Sequence, residues 1–482
     1  MFRLHQPTKT LIVALTLFMA LGATTAAAQS KPLTKAQSKA KMEALKKLSN
    51  QYGIHYYLDD CDQAIVFKPG DDNDGGYGVV TLEGKVLVPL EYQWIYYDSE
   101  SDYFLMLKEG YFGFANRKGQ IVIPLKYMSD RVMMSDDFFH NGLMCCTDSS
   151  YKNGIIDTLG RVVVPFVYDG QLSLIDAARG LMTLSSEDYE TEYLLRFNGD
   201  TVMGPVRTFY ATAADNLLEV EKIIGDDTLY GLYDIEGHEV IPFLYDEYFK
   251  FADGKAMVHR KGVGYGIVDL TGREVVPCSG NMKKDDDSFL SDIGLMVNYQ
   301  KNMCGLLDQA GNIVVPHRYT YFYADTRDRI ALQDSDYGLT IFDGKGNILA
   351  HYDEVSDWDY DSYGYPVRQG SLWGFLNNEL RLVVPARYEE LSHLEGDYFS
   401  VRLADGQRAV VDTTGKVLLK GPFDQISSFC EGIYSATSAY NTEADREQTP
   451  YLYGYVDRYG NTTFSKKELR RMSLWMKNNN NN

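Results

Sequence analysis

Eight histidines, at positions 5, 55, 140, 238, 259, 317, 351 and 393, stand singly along the chain. None belongs to an H-E-x-x-H, and no pair has the spacing that sets two imidazoles on one helix face to bind zinc. There is no G-x-S-x-G elbow to raise a serine nucleophile. Ser149-Ser150-Tyr151-Lys152 matches S-x-x-K by letters, but that chemistry needs its serine at a helix start, and this segment leads into a strand at Gly154. Gly262-Val263-Gly264-Tyr265-Gly266 is rich in glycine, yet no helix follows to hold a phosphate. Asp71-Asp72-Asn73-Asp74 and Asp285-Asp286-Asp287 attract cations, but neither has the Gly and Glu spacing of a twelve-residue calcium loop, so solvated acidic loops are the preferred reading. The expectation is a chain with no catalytic residues, no metal site and no cofactor.

One segment has the chemistry of recognition: Asp357-Trp358-Asp359-Tyr360-Asp361-Ser362-Tyr363-Gly364-Tyr365. On a strand, Trp358 and Tyr360 share one face while Asp357, Asp359 and Asp361 share the other. Trp358, Tyr360, Tyr363, Asp357 and Asp359 are therefore the candidate binding residues, an aromatic platform for a sugar ring or a protein side chain. The alternative, that Trp358 and Tyr360 face the core, is the preferred one. Trp94, Tyr96 and Tyr97 form a similar segment, as do Tyr321 and Tyr323, which points to a repeated packing role.

The elements that position these residues are written in composition and period. The chain has 482 residues, 47 Lys plus Arg against 67 Asp plus Glu, and a formal charge of −20. An acidic balance argues against nucleic acid, whose affinity comes from Lys and Arg neutralising phosphates. With 45% apolar and 24% charged residues the chain is globular material, and 37 Tyr, 42 Gly and 14 Pro favour strands and turns. Six cysteines (61, 145, 146, 278, 304 and 430) are too sparse for a disulfide framework. The neighbours Cys145 and Cys146 point to opposite faces of a strand, so core thiols or one opportunistic bridge are expected.

Arg3 and Lys9 precede an apolar run from Leu11 to Leu21, and small residues lead to Ala26-Ala27-Ala28. This reads as a secretory signal peptide over residues 1–28, because eleven apolar residues are too few to span a bilayer. The first cysteine is Cys61, so no lipid anchor is expected at the cleavage point, and no later run suits a transmembrane span. The expected location is the periplasm or outside the cell. Residues 29–52 read as a basic helix with Thr34 as cap and Lys35, Lys39, Lys41, Lys46 and Lys47 along it. It serves either as an arm for peripheral membrane or partner contact or, preferably, as a cover for one end of the acidic body. Residues 465–482 read as a basic C-terminal helix and an Asn tail.

Between them a unit repeats. It begins at Tyr77-Gly78, two apolar residues follow, a turn closes at Gly84, and an apolar run ends at Pro89. Turn positions at 84, 119, 160, 199, 237, 272, 311, 346, 380, 415 and 460 mark eleven copies. Nine copies carry Asp or Asn three residues after the first Gly slot (Asn116, Asp157, Asp234, Asp269, Asp308, Asp343, Asn377, Asp412 and Asp457). That side chain bonds the backbone two residues on, and the following Gly supplies positive φ. Pro five residues past the turn is expected to end a strand, and the missing Cβ of the first Gly to leave a gap for a neighbouring aromatic ring. Six copies continue Pro-x-x-Tyr, giving Tyr92, Tyr127, Tyr168, Tyr245, Tyr319 and Tyr388, read as packing residues whose hydroxyls have local partners. Each unit then holds about three short antiparallel strands and needs its neighbours to complete a core.

These motifs, over residues 53–464, resemble the WG repeat family, although Trp-Gly itself occurs only at Trp373-Gly374. Copy four has Tyr193 in place of the first Gly and copy eight has His351 in place of Pro, which suggests irregular stacking there. The resemblance implies an exported bacterial interaction scaffold with no catalytic constellation. Since propellers usually have four to eight blades, an all-β curved open array or superhelix of eleven units is expected, with one or two propeller-like rings as the alternative. The function expected is an exported, non-catalytic scaffold that binds a protein or glycan at the cell envelope. A carbohydrate- or peptidoglycan-directed hydrolase, with two carboxylates in one cleft, is the alternative.

Overall fold

The computed structural model describes residues 33–58, 60, 62–68, 76–128, 138–212, 216–252, 254–279, 289–356, 363–430, 432–438 and 452–479. They form eleven small antiparallel sheets in chain order, spanning 53–92, 94–128, 143–168, 172–206, 208–245, 251–279, 289–319, 321–352, 354–388, 391–421 and 425–457. Nine sheets have four strands rather than the three expected, each paired in sequence order, and the third and eleventh have three. The additional strand lies next to the preceding unit, where short runs such as Trp94–Asp98 carry too few residues to show a period.

Between the third and fourth strands of a sheet, the recurring Asp or Asn works as expected and further. In all nine copies its Oδ1 accepts the amides of the second and the fourth following residues, as Asp269 does from Thr271 (3.0 Å) and Arg273 (3.1 Å) and Asn377 from Glu379 (3.1 Å) and Arg381 (3.0 Å). The hydroxyl of Thr271 and then the flanking amides hold the Asp269 carboxyl low, at about 2. The turn Gly that follows has positive φ, +75° at Gly119 and +79° at Gly346. In sheet 9 Leu380 takes this place at φ +56°.

The first Gly of the unit has a different job from the one its sequence suggested. A Cβ on Gly78, Gly113 or Gly374 would lie 2.7, 2.5 or 2.5 Å from the carbonyl oxygen of Val88, Ile123 or Val384, the residue before the recurring Pro. Nor does that Pro end the strand, since the fourth strand of sheet 1 runs through it from Val86 to Tyr92. Pairing steps from Tyr77↔Tyr92 to Val79↔Val88, so four residues oppose two and the Pro sits on a bulge. The space left by the absent Cβ is filled chiefly by this bulged backbone. Beside Gly154, Gly231 and Gly454 an aromatic ring, that of Phe166, Phe243 or Phe464, comes close as well, and beside Gly305 the His317 imidazole does.

Each sheet cannot bury both faces, and stacking supplies the core. Successive sheets share one hydrophobic cluster per junction, such as Val88 and Tyr92 with Ile95 and Phe104 between sheets 1 and 2, or Phe375 and Tyr388 with Phe399 and Val401 between sheets 9 and 10. The recurring Tyr at 92, 127, 245, 319 and 388 is buried in these clusters, while Tyr168 is half-buried. The Tyr319 hydroxyl accepts from Arg318 at 2.9 Å, whereas that of Tyr127 is buried without a hydrogen-bond partner among the described residues, contrary to expectation. Cys145 and Cys146 do face opposite ways, into the junctions on either side of sheet 3. They and Cys278 and Cys304 are free thiols, Cys430 is buried where sheets 11 and 1 meet, and Cys61 lies outside the described residues.

The array closes, which corrects the expectation of an open superhelix. Ala64, Val66 and Val80 of sheet 1 share a cluster with Ile433 and Tyr455 of sheet 11 and with Met42, Leu45 and Leu48 of a helix, α1, Lys35–Ser49. The eleven sheets are thus blades of one β-propeller. Burying three aliphatic side chains of α1 is worth roughly 1.5–3 kcal/mol each, which makes the helix a latch across the seam. Thr34 caps α1 in a capping box with Gln37. The Ser38 hydroxyl donates to the buried Asp457 carboxylate at 2.6 Å, and Lys46 Nζ to the Thr463 carbonyl at 2.6 Å. A second helix, α2, Lys466–Asn479, places Leu469 and Met472 against Phe423 and Phe464 at the junction of blades 10 and 11. No helix among the described residues is long and apolar enough to cross a membrane.

Candidate functional site

Of the candidate binding residues, Trp358, Tyr360, Asp357 and Asp359 lie outside the described residues. Tyr363 is described, just before the second strand of blade 9, Gly364–Gln369. Its ring is 54% exposed and lies 4.6 Å from the His393 ring, the first-strand residue of blade 10 that packs on Phe375 and Phe399. His393 Nε2 lies 2.8 Å from the Gly396 carbonyl, which orients the imidazole. Tyr363 is therefore an exposed ring on a fixed aromatic base.

A larger aromatic surface lies where blade 1 meets blade 2. Tyr77 starts the third strand of blade 1, and Trp94 starts the first strand of blade 2. Because the third strand of one blade packs against the first strand of the next, their rings stack, with centroids 4.8 Å apart and planes 27° apart. Trp94 and Tyr96 alternate on one face of their strand and lie 6.2 Å apart at 24°, nearly parallel. His55 closes one side, 5.5 Å from Tyr77 and 6.1 Å from Trp94, and Phe67 lies 5.7 Å from Tyr77. The indole is 38% exposed, while Ile95 between Trp94 and Tyr96 is buried in the junction core. Burial raises the Tyr96 phenol, with Tyr77 adding to it, so Tyr96 is uncharged at neutral pH. Such a surface offers flat π faces to C–H groups or cations. Trp94 and Tyr96 were visible as a pair in the sequence, but their union with Tyr77 and His55 was not, because it depends on which strands of neighbouring sheets meet.

One buried carboxylate pair stands out. Glu219 and Glu221 alternate on the second strand of blade 5, Leu217–Ile224, and both are buried. Glu219 accepts the Phe249 amide at 2.8 Å. Burial pushes its carboxyl up to about 7, opposed by that amide bond and aided by Glu221. Glu221 accepts the Tyr210 hydroxyl at 2.9 Å and pairs with Arg207 at 3.0 Å. Both acids thus hold the chain segments that flank blade 5. Among the described residues no group of three or more His, Cys, Asp or Glu is arranged to hold a metal ion.

Solved structures with a related course are distant. A eukaryotic initiation factor is similar over 71% of this chain and 92% of its own, at 11% identity and a TM-score of 0.35. BamB from Moraxella catarrhalis (77% and 92%, 12% identity, TM-score 0.26) and AztD from Citrobacter koseri (77% and 93%, 11% identity, TM-score 0.26) are similar in the same weak sense. At these scores the likeness carries no argument. No curated protein matches the chain in sequence. The WG containing repeat matches six times, at residues 77–111, 112–128, 154–170, 230–262, 305–333 and 373–406. With that recurrence, and with glycine, Asx turn and Pro bulge found together in five of the six matched stretches, Thr81 standing in the Asx slot of the first, the chain belongs to the WG repeat family.

Proposed function

We propose that this WG repeat protein is an exported, non-catalytic scaffold that binds a protein or glycan at the cell envelope, with the Trp94 shelf as its contact point. The observation that carries this reading is the shelf of Tyr77, Trp94 and Tyr96, three part-exposed rings held nearly parallel at one junction. A rigid platform loses little entropy on binding, which favours recognition by flat apolar contact. Export rests on the pattern of residues 1–28, which lie outside the described residues. The hydrolase reading draws on the raised carboxyl of Glu219 beside Glu221, but both groups are engaged by the framework around them.

The test is to pass residues 29–482 over an array of bacterial and host glycans, and over envelope proteins, with Trp94→Ala and Tyr363→Ala alongside. Saturable binding lost in Trp94→Ala and kept in Tyr363→Ala is the expected result. Binding that both variants retain removes the shelf from the function. Glycan cleavage abolished by Glu219→Gln replaces the scaffold with an enzyme. Export is checked by the N-terminus of the mature protein, expected at Gln29.

A further inference from the structure

Ring closure brings together the two ends of the chain and, with them, nearly all of its surplus positive charge. Residues 51–465 hold 34 basic and 65 acidic side chains, whereas residues 29–50 and 466–482 hold 11 basic and 2 acidic. Both basic stretches are helices docked at blade 11, and they adjoin there. Lys46 of α1 donates to the carbonyl of Thr463, two residues before Ser465, which caps α2 through reciprocal bonds with Glu468. Those bonds with Ser465, then Lys46 and Arg471, hold the Glu468 carboxyl below its usual range, as expected where the two helices adjoin. Apolar residues of both helices pack on the ring, Met42 and Leu45 in one and Leu469 and Met472 in the other. Among the residues left exposed are Lys39, which lies 4.0 Å from Glu43, and Lys47, Lys466, Lys467, Arg470 and Arg471.

We propose that this helix pair docks the propeller on an anionic phospholipid surface. Leu474 favours a bilayer over an acidic protein: it is 62% exposed and stands one turn beyond Arg470 and Arg471, in line with Lys467. An exposed aliphatic side chain set among Lys and Arg is the pattern of a helix lying in a membrane interface. The acidic body is repelled by the same surface, so only the seam approaches and the orientation of the ring is set. This goes beyond the scaffold reading, since the Trp94 shelf plays no part in it.

The test is sedimentation of residues 29–482 with vesicles of phosphatidylcholine alone and of phosphatidylcholine with one third phosphatidylglycerol. Binding only to the anionic vesicles, lost at high salt, is the expected result. Each basic residue near such a surface is worth roughly fivefold in partition, so Lys39→Glu, Lys466→Glu, Lys467→Glu and Arg470→Glu combined should lower it at least about a hundredfold. The same changes made singly should each lower it several-fold with unaltered thermal unfolding, which keeps the result independent of any folding defect in the combined variant. Leu474→Ser should weaken binding without altering its salt dependence. Equal binding to both vesicle types, or binding indifferent to these substitutions, overturns the proposal. So does absence of vesicle binding, including the case where the seam instead drives salt-sensitive self-association through the acidic body of a second copy.

Discussion

Blades 8 and 9 are neighbours of nearly equal length, and they solve the same packing problem with different backbones. In blade 9, Gly374 faces a bulge at Pro385, and pairing steps from Trp373↔Tyr388 to Phe375↔Val384. In blade 8, Thr340 and His351 occupy those places, pair directly in register, and lie 3.0 Å apart between Thr340 Oγ1 and His351 Nδ1. The buried tyrosine that closes the strand, Tyr388 in one and Tyr352 in the other, pairs with the corresponding residue of the third strand in both. Blade 10 repeats the lesson, with Ala409 paired in register with Lys420. Glycine is thus demanded by the Pro bulge rather than by the blade. Loss of both changes the path of one strand and leaves stacking regular, contrary to the irregular packing that His351 suggested, because the clusters on either side of blade 8 remain continuous.

The strongest way to break this comparison is to place a side chain under the bulge. In Gly374→Thr the Cβ would sit 2.5 Å from the Val384 oxygen and 2.7 Å from the Ala386 nitrogen, both backbone atoms. A loss of about 3 kcal/mol or more is expected in urea unfolding. Replacing Pro385, Ala386 and Arg387 in that variant with one histidine, the arrangement of blade 8, should restore most of it. Failure to restore would mean that glycine serves something other than the bulge. The turns of the two blades differ next. Leu380 is buried at positive φ where blade 8 has Gly346, so Leu380→Gly relieves backbone strain but vacates the junction with blade 8. A net loss of about 2 kcal/mol is expected from a cavity cost of roughly 2–5 less about 1–3 of strain, and a gain in stability would reverse the ranking. Thr340→Gly, in a blade with no bulge to clear, should cost about 1–2 kcal/mol, through chain entropy and loss of the contact with His351.

The smallest difference is in pH response. Asp343 of blade 8 is held low by hydrogen bonds from the side chain and amide of Asn347, while Asn377 of blade 9 makes the same amide contacts and does not titrate. A carboxyl lowered in the folded state adds stability that is present above its unfolded value of 3.8 and lost as pH falls through the folded one. Below about pH 4, amide exchange at Lys345 and Asn347 should therefore quicken relative to Glu379 and Arg381. Parallel loss in both turns would show that the carboxyl charge is not what closes them.

Much of this was legible in the residues. The Asx slots predicted every turn they occupy, because those contacts span only four residues. The Pro bulge was not legible: whether Pro stops a strand or bulges it depends on the strand opposite. The first strand of the four-stranded blades was missed for a related reason, since two to six residues at the start of a unit carry too little pattern. Among candidate binding residues Tyr363 emerged exposed, but its base, His393 and Phe375, comes from elsewhere in blades 9 and 10.

What the sequence determined by itself is the unit, its number and its turns, all properties of local hydrogen bonding and of residues that tolerate positive φ. Only the tertiary structure decided that eleven such units close, that Tyr77 meets Trp94, and that two basic helices separated by more than 400 residues adjoin at blade 11. Each of these depends on the small angle between stacked sheets. That angle is set by how side chains fill every junction, and it closes a ring only when summed over the whole chain.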